Sequence, residues 1–156
     1  MRKLIFILLM VTSLLLVSCA EDLDNSIPIN TQINMNGFLD DFRGGKIEVE
    51  IFHNSLKTCE NFLDPLASID EIAEEKIELN IPEGSEEIKL SEEDVTIKAG
   101  VKTIYAALYN KDGEKKGHAC QKAVKCSLVG EPLTADSYNI VAGDKACVYL
   151  NISLIE

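Results

Sequence analysis

Two histidines, five cysteines and a dense run of acids are the residues of this 156-residue chain whose types could do chemistry. A zinc site needs His53 and His118 to converge with two further ligands, but His53 stands six residues from Cys59 and His118 two from Cys120, spacings of no recognised structural zinc motif. For nucleophilic catalysis a serine or cysteine must meet a histidine and an orienting acid. Ser55 follows His53 closely, yet no nucleophile-elbow or cysteine-protease signature surrounds either histidine, and Ser55 reads more simply as a strand-end turn residue. Residues 60–94 hold 13 of the 26 acids against only Lys76 and Lys89. Such a segment offers oxygen ligands for calcium, but it lacks the EF-hand spacing with its central glycine, so the reading is a solvated acidic face. Paired carboxylates could hydrolyse glycosides, although nine aromatics in the whole chain leave little for a sugar-stacking cleft. The sequence therefore assigns no catalytic residue, no metal ligand and no cofactor.

The cysteines are more informative. Arg2 and Lys3 precede an apolar run, residues 4–16, interrupted only by Thr12 and Ser13, which is the grammar of a secretory signal peptide. The run is short of the roughly 20 residues a spanning helix needs, and Glu21, Asp22 and Asp24 follow at once. Its end, Leu16-Val17-Ser18-Cys19, resembles the lipobox of bacterial lipoproteins. The resemblance covers residues 1–19 and implies cleavage before Cys19, diacylglyceryl attachment to its thiol and a bacterial envelope location. Ala20 resembles the neutral residue that lets such proteins proceed to an outer membrane. Setting Cys19 aside leaves Cys59, Cys120, Cys126 and Cys147, an even number fit for two disulfides in an exported protein. On one straight strand Cys120 and Cys126 would lie about 20 Å apart, too far to bond. They then bond elsewhere, with Cys59 the obvious partner for one of them.

Without Arg2 and Lys3 the chain keeps 13 basic residues against 26 acidic ones, a formal charge of −13. That balance excludes nucleic acid, whose binding rests on Lys and Arg, and disfavours docking a face of the domain on anionic lipid. The partners left are the membrane through the lipid anchor and, in the envelope, another protein.

The elements that must position these residues are strands. Residues 46–53 (KIEVEIFH) set Ile47, Val49 and Ile51 against Glu48 and Glu50, the alternation of a half-buried strand. Further strands are expected around residues 31–39, 77–81, 87–90, 95–99, 101–109, 117–126, 138–141 and 145–154. Asn110-Lys111-Asp112-Gly113 supplies a hairpin turn. In the last run Ala146, Val148, Leu150, Ile152 and Leu154 share one face. A single helix is expected after Asp64-Pro65, as N-cap and first helical position, with Leu66, Ile69, Ile72 and Ala73 on its apolar side. Tyr105, Tyr109 and Tyr149 could form an aromatic patch on the sheet, but core or half-buried packing is the role favoured for them.

Seven to nine short strands with turn signals between them predict an all-β fold, an antiparallel β-sandwich with at most one short helix. Residues 96–113 (TIKAGVKTIYAALYNKDG) resemble the strand pairs of transthyretin-like and carboxypeptidase-regulatory-like sandwich modules. The expected organisation is a signal peptide over 1–18, a lipidated cysteine and flexible tether over 19–30, and a sandwich domain over 31–156. The expected role is a membrane-anchored bacterial envelope lipoprotein, the outer membrane favoured, presenting a non-catalytic β-sandwich binding, adhesion or assembly module. A small extracytoplasmic enzyme or ligand carrier, or a calcium-stabilised adhesin, is the alternative.

Overall fold

The computed structural model describes residues 27–35, 39–64, 66, 70–81, 87–90, 95–127 and 138–155. Its strands are β1 (Ile27–Asn34), β2 (Lys46–His53), β3 (Glu75–Asn80), β4 (Glu87–Leu90), β5 (Thr96–Ile97), β6 (Lys102–Tyr109), β7 (Lys115–Lys122), β8 (Val124–Lys125), β9 (Ala146–Asn151) and β10 (Ser153–Leu154). One α-helix, α1, spans Cys59–Leu63, and a 3-10 turn spans Leu39–Phe42. The fold is all-β. One sheet runs β4-β1-β9-β8, with β5 also paired to β1; the other runs β10-β7-β6-β2-β3. Every pairing is antiparallel except β1 with β9, where Ile29 to Asn34 lie parallel to Ala146 to Asn151.

The two sheets form a sandwich because period-2 alternation gives each an apolar inner face. Ile29 and Ile33 of β1, with Val148 and Leu150 of β9, join Ile47, Val49 and Ile51 of β2 and Ile104, Ala106 and Leu108 of β6 in one buried cluster. The alternation expected in residues 46–53 is fully realised there. Burying a side chain such as these contributes about 1.5–3 kcal/mol, so the interleaved faces are the main force holding the sheets together.

Two strand runs pass from one sheet to the other. The expected strand over residues 117–126 turns at Ala123, whose amide donates to the Lys102 carbonyl, so that β7 belongs to the second sheet and β8 to the first. Likewise β9 ends at Asn151, Ile152 donates its amide to Asn34, and β10 pairs with β7 across the gap. Leu154 is consequently exposed rather than sharing the buried face of Ala146 to Ile152. Gly117 permits this crossing: a Cβ there would stand 2.9 Å from Ile152 Cγ2 and 3.0 Å from the Ser153 carbonyl.

The Asn110–Glu114 hairpin forms as expected. Asn110 Oδ1 accepts from the amides of Asp112 and Glu114, and Gly113 takes the positive φ of 80° that its lack of Cβ allows.

Three expectations need correction. The sandwich starts at Ile27, not Thr31: Ile27 and Ile29 are fully buried in β1, so the last four residues assigned to the tether belong to the core, and residues 19–26 lie outside the described ones. A helix lies before Asp64, which is its C-cap, and the described residues after it, 66 and 70–74, are not helical, while Pro65 and Ile69 lie outside the described ones. Over 138–141 only an isolated bridge between Ile140 and Gly100 forms.

A disulfide-pinned strap on the outer face

The second sheet directs Phe52 of β2, Tyr105 and Ala107 of β6 and Cys120 of β7 outward, since their neighbours in sequence point into the core. Between β2 and β3 the described residues, 54–64, 66 and 70–74, form a strap over this face. Its helix α1 is only five residues long, far below the length at which a helix holds itself together, so tertiary contacts must fix it. Phe62 is buried, its ring 4.7 Å from Phe52 and 6.0 Å from Tyr105 between centroids. The Cys59–Cys120 disulfide, with a Cα–Cα distance of 5.3 Å, ties the first residue of α1 to β7. At the N-terminus of α1, Asn61 Oδ1 accepts from the Thr58 amide. Lys57 Nζ meets Asp70 Oδ1 at 2.5 Å, closing one side of the strap on the other. The bonded ammonium holds the Asp70 carboxyl below the usual carboxylate range.

The strap is closed at its base by a polar group at the end of the core. Lys102 opens β6 in phase with Ile104, Ala106 and Leu108 and is completely buried. Its Nζ pairs with the Glu74 carboxylate and lies 2.7 Å from His53 Nδ1, while Asn54 Nδ2 lies 2.9 Å from His53 Nε2. Burying an ammonium is tolerable only with such partners.

Beside the strap runs a ladder of charge. Glu48 stands between Lys46 at 2.9 Å and Lys76 at 3.1 Å; Lys46 reaches on to Glu78 and Lys76 to Glu50. The hydrogen bond from Lys46, more than that from Lys76, depresses the Glu48 carboxyl against the opposing effect of its own burial. Tyr105 sits nearby with its hydroxyl buried and without a hydrogen-bond partner among the described residues, as is His118 Nδ1. The two rings meet edge to face at 6.4 Å, and Lys115 Nζ lies 5.2 Å from the Tyr105 centroid. Burial, aided by Glu50, pushes the Tyr105 phenol up to about 12. Burial and then Lys115 push the His118 imidazole down. At neutral pH this pair is an un-ionised phenol, able to donate and to accept a hydrogen bond, beside an uncharged imidazole.

The residues singled out by sequence fall as follows. Cys19 lies outside the described residues. Cys59 bonds Cys120 and Cys126 bonds Cys147, so that each sheet carries one bridge on its outer face. His53 and His118 do not converge: their register rows on β6, at Lys102 and Ala107, are five residues apart, roughly 16 Å along the strands. Ser55 Oγ accepts from the Lys57 amide in a turn, while the His53 ring faces Lys102 and Asn54. Among the described residues, no group of three or more His, Cys, Asp or Glu side chains could hold a metal ion. Tyr105 and Tyr109 share the second sheet, whereas Tyr149 belongs to β9 of the first, so the three form no single patch; Tyr105 is buried and the other two half-buried, the packing role favoured from the sequence.

The largest departure concerns the residues assigned to an apolar helix side. Leu66 and Ile72 are 93% and 94% exposed, and Leu56 at the other end of the strap is 96% exposed. Their spacing mimics a buried helical stripe, and nothing in the sequence shows that Phe62 and the disulfide fasten the strap instead. The Lys102–Glu74 pair was also missed, although a lysine in phase with three inward apolar residues of one strand is a visible signal. What fold and site define together is a disulfide-braced β-sandwich with a pinned strap of exposed aliphatic side chains. No family model, curated protein or solved structure matches the chain.

Proposed function

We propose that this chain is a bacterial envelope lipoprotein, anchored through an acylated Cys19 in the outer membrane, that presents the sandwich as a non-catalytic binding or assembly module. The observation that carries the reading is the use of the cysteines. Four of the five pair with one another on the two outer faces, leaving Cys19, at the end of the lipobox-like Leu16–Cys19, with no thiol in the chain to oxidise with. A lipidated cysteine is the fate that sequence context favours for it. Each buried methylene adds about 0.8 kcal/mol of membrane affinity, so two or three acyl chains hold an acidic domain durably where one would not. The strap supports a binding role, since its described residues expose the apolar side chains of Leu56, Leu66 and Ile72. Labelling cells with a radioactive fatty acid tests the anchor: the wild-type chain takes up label and partitions with membranes, and Cys19→Ala does neither. A Cys19→Ala protein that still labels, or still needs detergent for extraction, sinks the proposal.

A further inference from the structure

Strand β3 ends the second sheet, and among the described residues it pairs with β2 alone. Its backbone has a fixed phase. The Ile81 amide donates to the Gly45 carbonyl, and the register continues through Leu79 with Ile47, Ile77 with Val49 and Glu75 with Ile51. In an antiparallel ladder these alternate residues turn their amides and carbonyls to β2, so Lys76, Glu78 and Asn80 direct theirs outward. On the core side Ile77 and Leu79 pack against the buried cluster yet stay only half-buried. A row of unpaired backbone groups beside half-covered aliphatic side chains is a template for another strand.

The charges on this edge select the strand. Lys76 and Glu78 are exposed, and such charges blunt an edge against strands of arbitrary sequence. Against an antiparallel copy of β3 centred on Ile77, however, Lys76 lies opposite Glu78 of the second copy, and Glu78 opposite its Lys76. Centring on Lys76 or on Glu78 instead sets like charges face to face, which is destabilising. In the Ile77 register the outward groups of Lys76 and Glu78 exchange hydrogen bonds with the second copy, and the two Ile77 residues meet on the core side about 4.5 Å apart between Cα atoms. The neighbouring charges fit this joint. Lys76 holds Glu48 and Glu50, and Lys46 holds Glu48 and Glu78, so across the seam the sign alternates from Glu50 to Lys76, then to Glu78 and Lys46 of the second copy. Each ladder keeps three carboxylates against two ammonium groups, a small excess. Glu74 is engaged by Lys102, and the exposed Glu75 falls opposite Leu79 at the open end. We infer that two copies of this chain join antiparallel along β3, merging two five-stranded sheets into one continuous sheet. The inference goes beyond the proposed binding module and stands on register and charge, not on the anchor.

The test is disulfide trapping of the full chain, extracted in detergent from its native host, with Ile77→Cys and, as control on the same edge, Asn80→Cys. In this register position 80 lies about 20 Å from its counterpart, too far to bond. Ile77→Cys should give a band of twice the chain's mass that reduction removes, and Asn80→Cys should give none. Adding Glu78→Pro should abolish the band, because it deletes an outward N–H that β2 does not use, a change edge strands tolerate. Charge reads the register. With Ile77→Cys present, copies carrying Lys76→Glu and copies carrying Glu78→Lys should each trap about fivefold or more below the parent on their own. A mixture of the two, tagged differently, should trap the mixed pair at the parent level, since each changed position then meets its opposite charge. The same mixture without the added thiol, read by co-purification of one tagged copy with the other, keeps the test independent of any effect of Ile77→Cys on folding. Absence of both the band and co-purification overturns the inference. So does a band that survives Glu78→Pro, equal trapping by Asn80→Cys, a band containing another protein, or charge variants that trap equally alone and mixed.

Discussion

Replacing Cys59 and Cys120 together by serine tests how the strap contributes to the stability of the whole sandwich. The bridge closes 61 residues and the Cys126–Cys147 bridge closes 21. If a disulfide acts by restricting the unfolded chain, these loops are worth about 4 and about 3 kcal/mol respectively. The two loops do not overlap in sequence, so their effects should add, and about 7 kcal/mol is comparable to the entire stability of an ordinary domain, about 5–15 kcal/mol. Urea unfolding followed by far-ultraviolet circular dichroism measures this directly. The Cys59→Ser/Cys120→Ser protein should lose about 4 kcal/mol and Cys126→Ser/Cys147→Ser somewhat less. The quadruple variant should be close to unfolded in buffer. A loss below about 1 kcal/mol for the longer loop, or a larger loss for the shorter one, would refute the reasoning and place the stabilisation in native contacts rather than in the unfolded chain.

Two further predictions concern the buried polar groups. Glu74→Gln leaves the fully buried Lys102 ammonium without its counter-charge and should cost about 3 kcal/mol, whereas Lys102→Met should cost less because Glu74, partly exposed, is left able to hydrate; urea midpoints in the reverse order would show that the pair is not what closes the strap. His118 titrates below the ordinary histidine value of 6.5 in the folded protein, chiefly through burial, so its contribution is present above 6.5 and is lost as pH falls through the lower folded value. Stability measured between about pH 7.5 and 5 should therefore fall more steeply for the wild type than for His118→Gln, and parallel curves would rule this out.

Residue alternation made the fold class legible, and β2 most of all, because Ile47, Val49 and Ile51 each fill the core face they predict. Alternation does not say which sheet a strand joins. The phase runs unbroken through Ala146, Val148, Leu150 and Ile152, although the chain changes sheets at Ile152, as the pairing of β10 with β7 and the close approach at Gly117 show. The strap defeated local reading for a different reason. Asp64-Pro65 carries real helix-start chemistry, but a five-residue helix has too little propensity to matter against a disulfide and a buried Phe62. The connectivity of the cysteines and the pairing of Lys102 with Glu74 both depend on contacts far apart in sequence, 61 and 28 residues respectively, which no local pattern encodes.

The position of β1 has a mechanical consequence. The first strand of the sandwich is gripped on two sides, by β9 over Ile29 to Asn34 and by β4 over Thr31 to Asn34, with β5 holding Ile27 and Pro28. A pull entering at Ile27 acts along the strand, so these ladders are loaded together in shear instead of opening rung by rung. Because β9 is parallel to β1 and the Cys126–Cys147 bridge fastens the chain beside it, the load passes into the middle of the first sheet. The end of the sandwich at which the described chain enters is thus built as a tension member.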